Sequence, residues 1–231
     1  KVGIPVSLSG QFQVQGHQAL AGLQAWVEDV NRSGGVKVGH SDFVRPISIV
    51  YYDDASKTAQ ARQATERLIT RDRVDLLFGP YSGVLALASA QVAEGHGRLL
   101  WNQGGASDTI YQRGFKWVVG VLTPASRYLA EWLPLVRGAD PNADSLAIVR
   151  ASTGAFPKAV TSTVESQAAR LGFRISLLRE FEPSINDFSA VLDEVERVRP
   201  DLLLGVGRIQ NDLLLAGQLA RRELGLKGVA V

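Results

Sequence analysis

Short β-rich runs alternate with helix-patterned runs from one end of the chain to the other, and this rhythm constrains the fold more than any other feature. The β-rich runs are Val2 to Leu8, Ile47 to Asp53, Asp75 to Phe78, Arg98 to Asn102, Trp117 to Leu122, Ser145 to Arg150, Arg174 to Leu178, Asp201 to Val206 and Gly228 to Val231. Between them, apolar residues recur at helical spacing, as in Leu20, Leu23, Val27 and Val30, in Val160, Val164, Ala168 and Leu171, and in Phe188, Val191, Leu192, Val195 and Val198. Several strands, Asp75-Leu-Leu-Phe and Asp201-Leu-Leu-Leu among them, are continuously apolar, the pattern of a parallel strand covered on both faces. The rhythm therefore predicts an α/β protein with parallel sheets flanked by helices. In such a sheet, ligands bind beyond the carboxyl ends of the strands.

The alternation breaks between Asn102 and Ser145, where a glycine-rich loop and an aromatic-flanked strand lead to Thr123-Pro124. Pro124 suits the first turn of a helix, so a helix is expected to open there and run through Leu129, Trp132, Leu133 and Val136. This places a lobe boundary between residues 122 and 123, giving lobes 1–122 and 123–231, with the Gly120 to Thr123 connection as a hinge.

Composition narrows the function classes. Lysine plus arginine number 25 against 23 aspartate plus glutamate, spread along the chain, which gives no electrostatic case for nucleic acid as a partner. There is no cysteine, so disulfides, a catalytic thiol and thiolate metal ligands are excluded. No Gly-x-Ser-x-Gly elbow or Walker loop occurs, and Gly205-Val-Gly207-Arg-Ile-Gln210 lacks the third glycine of a dinucleotide fingerprint. No cofactor is expected, and an enzyme is the weakest of the functional readings. His17, His40 and His96 stand apart without metal-ligand spacing and read as surface residues. Asp53 and Asp54 read as caps complementing the dipole of the helix that starts near Lys57.

The strand-to-helix turns carry the chemistry. They are Leu8-Ser9-Gly10 through Gln15-Gly16, Gly79-Pro80-Tyr81-Ser82-Gly83, and Asn102-Gln103-Gly104-Gly105-Ala106-Ser107, and all three open at the same edge of one parallel sheet. Ser82 can act as an ordinary helix N-cap. Together with a facing loop of glycines and a serine it also suits a carboxylate, because unpaired amides attract an anion and Gly104 and Gly105 let backbone approach it.

These residues resemble the periplasmic leucine/isoleucine/valine-binding family, the type I substrate-binding proteins of ABC importers. The resemblance rests on Leu8-Ser9-Gly10, Gly16 with Gly22, Asn31-Arg-Ser-Gly34-Gly35, Tyr52-Asp53-Asp54, Gly79-Pro80-Tyr81-Ser82 and Asn186-Asp187-Phe188-Ser189, in that order. It implies two Rossmann-like lobes around a cleft, with the second lobe incomplete in this chain. It also implies that Ser82 and Gly104 to Ala106 hold a ligand carboxylate, with Ser107 next door as a hydroxyl where many relatives have one and this chain has Ala106. Gln15, Tyr81 and Phe156 fall near pocket-lining positions. Arg208 falls near a second-lobe contact, or is a solvated surface residue. The implied ligand is an amino acid, an amide, or an aromatic or aliphatic carboxylate. The implied partner is a membrane permease, and the implied location is periplasmic or extracellular, with anchoring through a removed N-terminal segment as a variant. The alternative is the ligand-sensing domain of a signalling receptor, or an amide-responsive regulator with the same fold.

Overall fold

A computed structural model describes residues 1–39 and 43–231. His40 lies outside the described residues. The chain divides into two compact units, Lys1–Pro124 and Ala125–Val231.

The first unit runs β1 (Val2–Val6), α1 (Gln13–Arg32), β2 (Val36–Lys37), β3 (Val44–Arg45), β4 (Ile49–Asp53), α2 (Thr58–Thr70), β5 (Leu76–Phe78), α3 (Gly83–Gly95), β6 (Leu100–Asn102), α4 (Asp108–Gln112) and β7 (Val118–Gly120). Five strands form one sheet in the order β4-β1-β5-β6-β7, and every pairing is parallel. The antiparallel pair β2-β3 lies outside the expected rhythm, since two-residue strands carry no periodicity.

One face of this sheet is packed by Leu77 and Leu100 against Leu68, Ile69, Ala90 and Ala93 of α2 and α3. On the other face, Leu20 and Leu23 of α1 bury Val2, Ile4 and Val6. That cover does not extend across the sheet. Leu76, Trp101 and Val119 share the α1 face by register and are 37%, 36% and 39% exposed. At β5 the cover on that face is partial, since Phe78 packs against the α1 cluster while Leu76 is left exposed.

The second unit begins with a 3₁₀ turn (Ala125–Arg127) and continues α5 (Trp132–Ala139), β8 (Ser145–Ala151), α6 (Ala155–Leu171), β9 (Arg174–Phe181), α7 (Ser189–Val198), β10 (Leu202–Val206), α8 (Ile209–Leu219) and β11 (Gly228–Ala230). Its four-stranded sheet, β11-β10-β8-β9, is again all parallel. The helix expected to run from Pro124 through Val136 is instead broken, and Pro134 explains the break. A proline has no amide to donate and clashes with the preceding turn, so it is tolerated in a first turn but not at the centre of a long helix. Restarting at Trp132 puts Pro134 third in α5. The core is Ala147, Val149, Leu203 and Leu215 around the edge-to-face pair Phe181 and Phe188, whose ring centroids are 4.9 Å apart. Among the described residues no helix is long and apolar enough to cross a membrane.

Candidate functional site

Because β1, β5 and β6 are parallel neighbours, the turns that follow them all leave the same edge of the first sheet. The β5–α3 and β6–α4 turns are in direct contact. Ser82 N–H donates to Gly104 O at 2.9 Å. A Cβ on Gly104 would lie 2.7 Å from Pro80 O and Tyr81 Cα, and a Cβ on Gly83 would lie 2.5 Å from Ser107 Cβ. Both glycines are therefore required by close approach, whatever the ligand.

Ser82 is the N-cap of α3, and its Oγ accepts from Leu85 N–H at a long 3.4 Å. Its backbone sits at φ 77° and ψ 144°, a conformation that a side chain makes costly. The conformation is held by the bond to Gly104 and by Ala86 N–H donating to Ser82 O at 2.9 Å. The amides of Gly83 and Val84 are the first two of α3, with no carbonyl one turn back to pair with.

Two residues that sequence reasoning passed over shape the facing loop. Asn102 is fully buried at the end of β6. Its Nδ2 donates to Gly105 O at 2.7 Å, and its Oδ1 accepts from Gly105 N–H at 2.9 Å. The Tyr111 hydroxyl accepts from Asn102 Nδ2 at 3.1 Å. Ala106 and Ser107 follow as half-buried residues, with Ser107 preceding α4.

The β1–α1 turn joins this edge through Phe12, whose ring meets Tyr81 edge-on at 5.6 Å. Gln15 is half-buried in the first turn of α1, and its Oε1 is buried with no hydrogen-bond partner. Asp53 and Asp54 anchor the turn, but not as caps of α2. Asp53 accepts from the amides of Leu8, Ser9 and Ala55 and from Ser9 Oγ. Asp54 accepts from Ser7 Oγ at 2.6 Å and Ser56 N–H at 2.8 Å. Ala55 and Ser56 turn through left-handed conformations, so α2 starts three residues later behind Lys57, with no side-chain cap. Burial raises the pKa of Asp53, but its hydrogen bonds from Ser9, Ala55 and Leu8 outweigh this and hold the carboxyl below the usual range. At Asp54 burial outweighs the bonds from Ser7 and Ser56 and pushes the carboxyl up.

Neither described histidine forms part of this edge. His17 is exposed on α1, and His96 places Nε2 2.9 Å from both carboxylate oxygens of Glu66. Among the described residues, no group of three or more histidines, cysteines or carboxylates could hold a metal.

In the second unit, β8 and β10 are parallel neighbours, so the turns leading to α6 and α8 share an edge of that sheet. Phe156, half-buried in the first turn of α6, meets the Tyr128 ring edge-on at 5.3 Å. Arg208 is exposed as the N-cap of α8. Side chains of the helix hold its turn: Gly207 N–H donates to Asp212 Oδ1 at 2.7 Å, and Arg208 N–H donates to Asn211 Oδ1 at 3.2 Å. Burial pushes Asp212 up to about 6 against the opposing bond from Gly207.

Comparison with known proteins agrees with this architecture. The "Leu/Ile/Val-binding protein homolog 8" of Brucella abortus is 25% identical across the whole chain, which spans 57% of that relative's length. The "Leu/Ile/Val-binding protein homolog 7" of Brucella melitensis is 26% identical, with the same coverage of each chain. Among solved structures, a solute-binding protein of an ABC transporter from Rhodopseudomonas palustris in complex with 3,4-dihydroxybenzoic acid aligns over 98% of this chain and 60% of its own. Its TM-score is 0.78 at 17% identity. A branched-chain amino acid transporter substrate-binding protein from Streptococcus pneumoniae in complex with isoleucine also aligns over 98% of this chain and 62% of its own, with a TM-score of 0.78 at 19% identity. A family model described as "Periplasmic binding protein" matches residues 1–231, and the chain belongs to that family, to which its relatives named as Leu/Ile/Val-binding protein homologs correspond.

Proposed function

We propose that this chain is the ligand-capturing part of an extracytoplasmic solute-binding protein, periplasmic or extracellular, that takes up a small carboxylate or amino-acid-like molecule and delivers it to an ABC importer. The observation that carries this reading is the contact between the Ser82 and Gly104 turns at the carboxyl edge of the first sheet. There a hydroxyl, the leading amides of α3 and small-residue backbone converge without a lysine or arginine, a donor set suited to one carboxylate. Isoleucine and 3,4-dihydroxybenzoic acid, the ligands of two structural relatives, have a carboxylate in common. Gln15 Oε1 supplies an acceptor for a ligand N–H or O–H, and Tyr81 and Phe156 supply aromatic surface. Arg208, exposed at the N-terminus of α8, offers a guanidinium fork suited to a second acidic group on the ligand.

The test is direct. The purified protein is denatured, released small molecules are identified by mass spectrometry, and the identified compound is titrated back by calorimetry. Recovery of an unchanged carboxylate that rebinds supports capture, whereas a chemically altered product refutes it. In the protein bearing its full natural length, ligand should reduce the radius of gyration in small-angle scattering as the units close about residues 120–123. An unchanged profile at saturation argues against a clamp. A permease gene beside this one in the genome would favour the importer over the sensor.

A further inference from the structure

The near-balance of charge along the chain as a whole hides one local excess. From Lys57 to Arg73 there are five basic residues, Lys57, Arg62, Arg67, Arg71 and Arg73, against Glu66 and Asp72. This net +3 exceeds the +2 of the entire chain, so everything outside the segment sums to −1. Folding then gathers the charge. Arg62, Arg67 and Arg71 are exposed on α2 and the residue that follows it, and they line one open hollow with Gln63, Glu66 and Thr70.

The carboxylates within reach are already engaged. Glu66 holds His96, and Asp72 accepts from the Tyr52 hydroxyl at 2.9 Å. Among the described residues, no carboxylate forms an ion pair with Arg62, Arg67 or Arg71. Two of these guanidiniums are nevertheless held in place by uncharged groups. Arg62 donates to Gln91 Oε1, and Arg67 lies over the Tyr52 ring at 4.2 Å. A pre-oriented guanidinium offers paired donors to a carboxylate at little ordering cost, and the three arginines outnumber Glu66, the carboxylate that lines the hollow with them.

The position matters as much as the charge. The residues after α2 lie at the start of β1, where Lys1 Nζ donates to Asp72 O, whereas the Ser82 and Gly104 turns lie at the opposite edge of the sheet. The Arg71 end of the hollow therefore lies away from those turns.

We propose that the α2 face bearing Arg62, Arg67 and Arg71 is a docking surface for a carboxylate-rich segment of a partner protein. Held arginines around a hollow suit discrete carboxylates better than the diffuse charge of a lipid surface. This proposal does not depend on which ligand the chain captures, because its probe is a peptide and its variants lie away from the ligand turns.

The experiment is fluorescence anisotropy of the intact 231-residue chain with a labelled ten-residue glutamate-rich peptide, at low and at physiological salt. Peptide binding should weaken at least tenfold in Arg62→Gln/Arg71→Gln, a pair that keeps Arg67 on Tyr52. It should weaken further in Arg67→Gln/Arg71→Gln and fall with salt. The control Arg170→Gln/Arg174→Gln removes two exposed charges from the second unit and should bind as the parent does. Thermal melts verify that every variant is folded. The proposal is overturned if the parent does not bind the peptide, if the control loses as much affinity as the α2 pairs, or if the same arginines instead bind phosphatidylglycerol vesicles in preference to the peptide.

Discussion

Ser82 is where local cost and proposed role meet. Its left-handed backbone would suit glycine, yet glycine would lack the hydroxyl. Ser82→Gly is therefore expected to stabilise the unliganded protein by about 1 kcal/mol, the low end of what such a conformation costs a side chain, since a glycine cap loses only a few tenths of that. Both Ser82→Gly and Ser82→Ala should weaken ligand binding by about 1–3 kcal/mol, the scale of a hydrogen bond to a charged group. Urea melts and calorimetry separate the two effects. If Ser82→Gly destabilises the protein and leaves affinity intact, the hydroxyl is only a cap. Two aspartates make opposite demands on pH. Asp212, pushed up to about 6 by burial, favours its protonated form in the fold, so its contribution is present below the ordinary value near 3.8 and is lost as pH rises toward 6. Asp212→Asn should flatten stability across that window while keeping the acceptor for Gly207. Asp201 is held well below the usual range, first by the Asp144 amide and then, against burial, by Ser145 and Lys227. Its contribution is present above pH 4 and fades as pH falls. Asp201→Asn should cost about 1.5–3 kcal/mol at pH 7 in chemical denaturation, with a smaller difference in acid.

Among the elements, α1 shows how one helix sets the position of a turn. Gly16 packs so tightly on the end of β1 that a Cβ would lie 1.9 Å from Ser7 O, while Gly22, two turns on, meets nothing within 4 Å. Gly16→Ala must push α1 off the sheet and displace Phe12 and Gln15 with it. It should cost about 3 kcal/mol, the upper part of the range for overpacking. Gly22→Ala should stabilise by up to about 1 kcal/mol through helix propensity alone. Urea denaturation of the two variants checks both signs, and equal effects would refute the packing argument.

For the molecule as a whole, the uncovered part of the first sheet is the most consequential surface. Trp101 and Val119 are register partners on one face of β6 and β7, and Leu76 is exposed on the same face of β5, apolar surface of the kind that marks an interaction surface or an aggregation hazard. The 231-residue chain should enhance the fluorescence of an anilinonaphthalene dye while fully folded. Trp101→Ser should reduce that signal at least twofold without lowering the cooperativity of unfolding. Dye binding that survives the substitution unchanged would place the patch elsewhere.

The strand-helix rhythm, the parallel sheets, and the arrival of the Ser82 and Gly104 turns at one sheet edge were all legible in the residues, because period and apolar run length are properties of consecutive positions. Other features were not. Asp53 acts mainly on the Leu8 and Ser9 amides, backbone that is near only after folding. Asn102, by contrast, bonds Gly105 three residues on, a local turn its side chain could have signalled, although its burial could not be read from the sequence. The strained backbone of Ser82, the exposed residues on one face of β5 to β7 and the lack of ion pairs, among the described residues, at Arg62, Arg67 and Arg71 all depend on which neighbours arrive across the fold. The break before Trp132 could have been anticipated from Pro134, whose missing amide is a local property, whereas the role of Asp212 could not, since its pKa comes from burial. Patterns that repeat along the chain specified the elements and their order, and contacts between distant segments determined exposure, strain and charge.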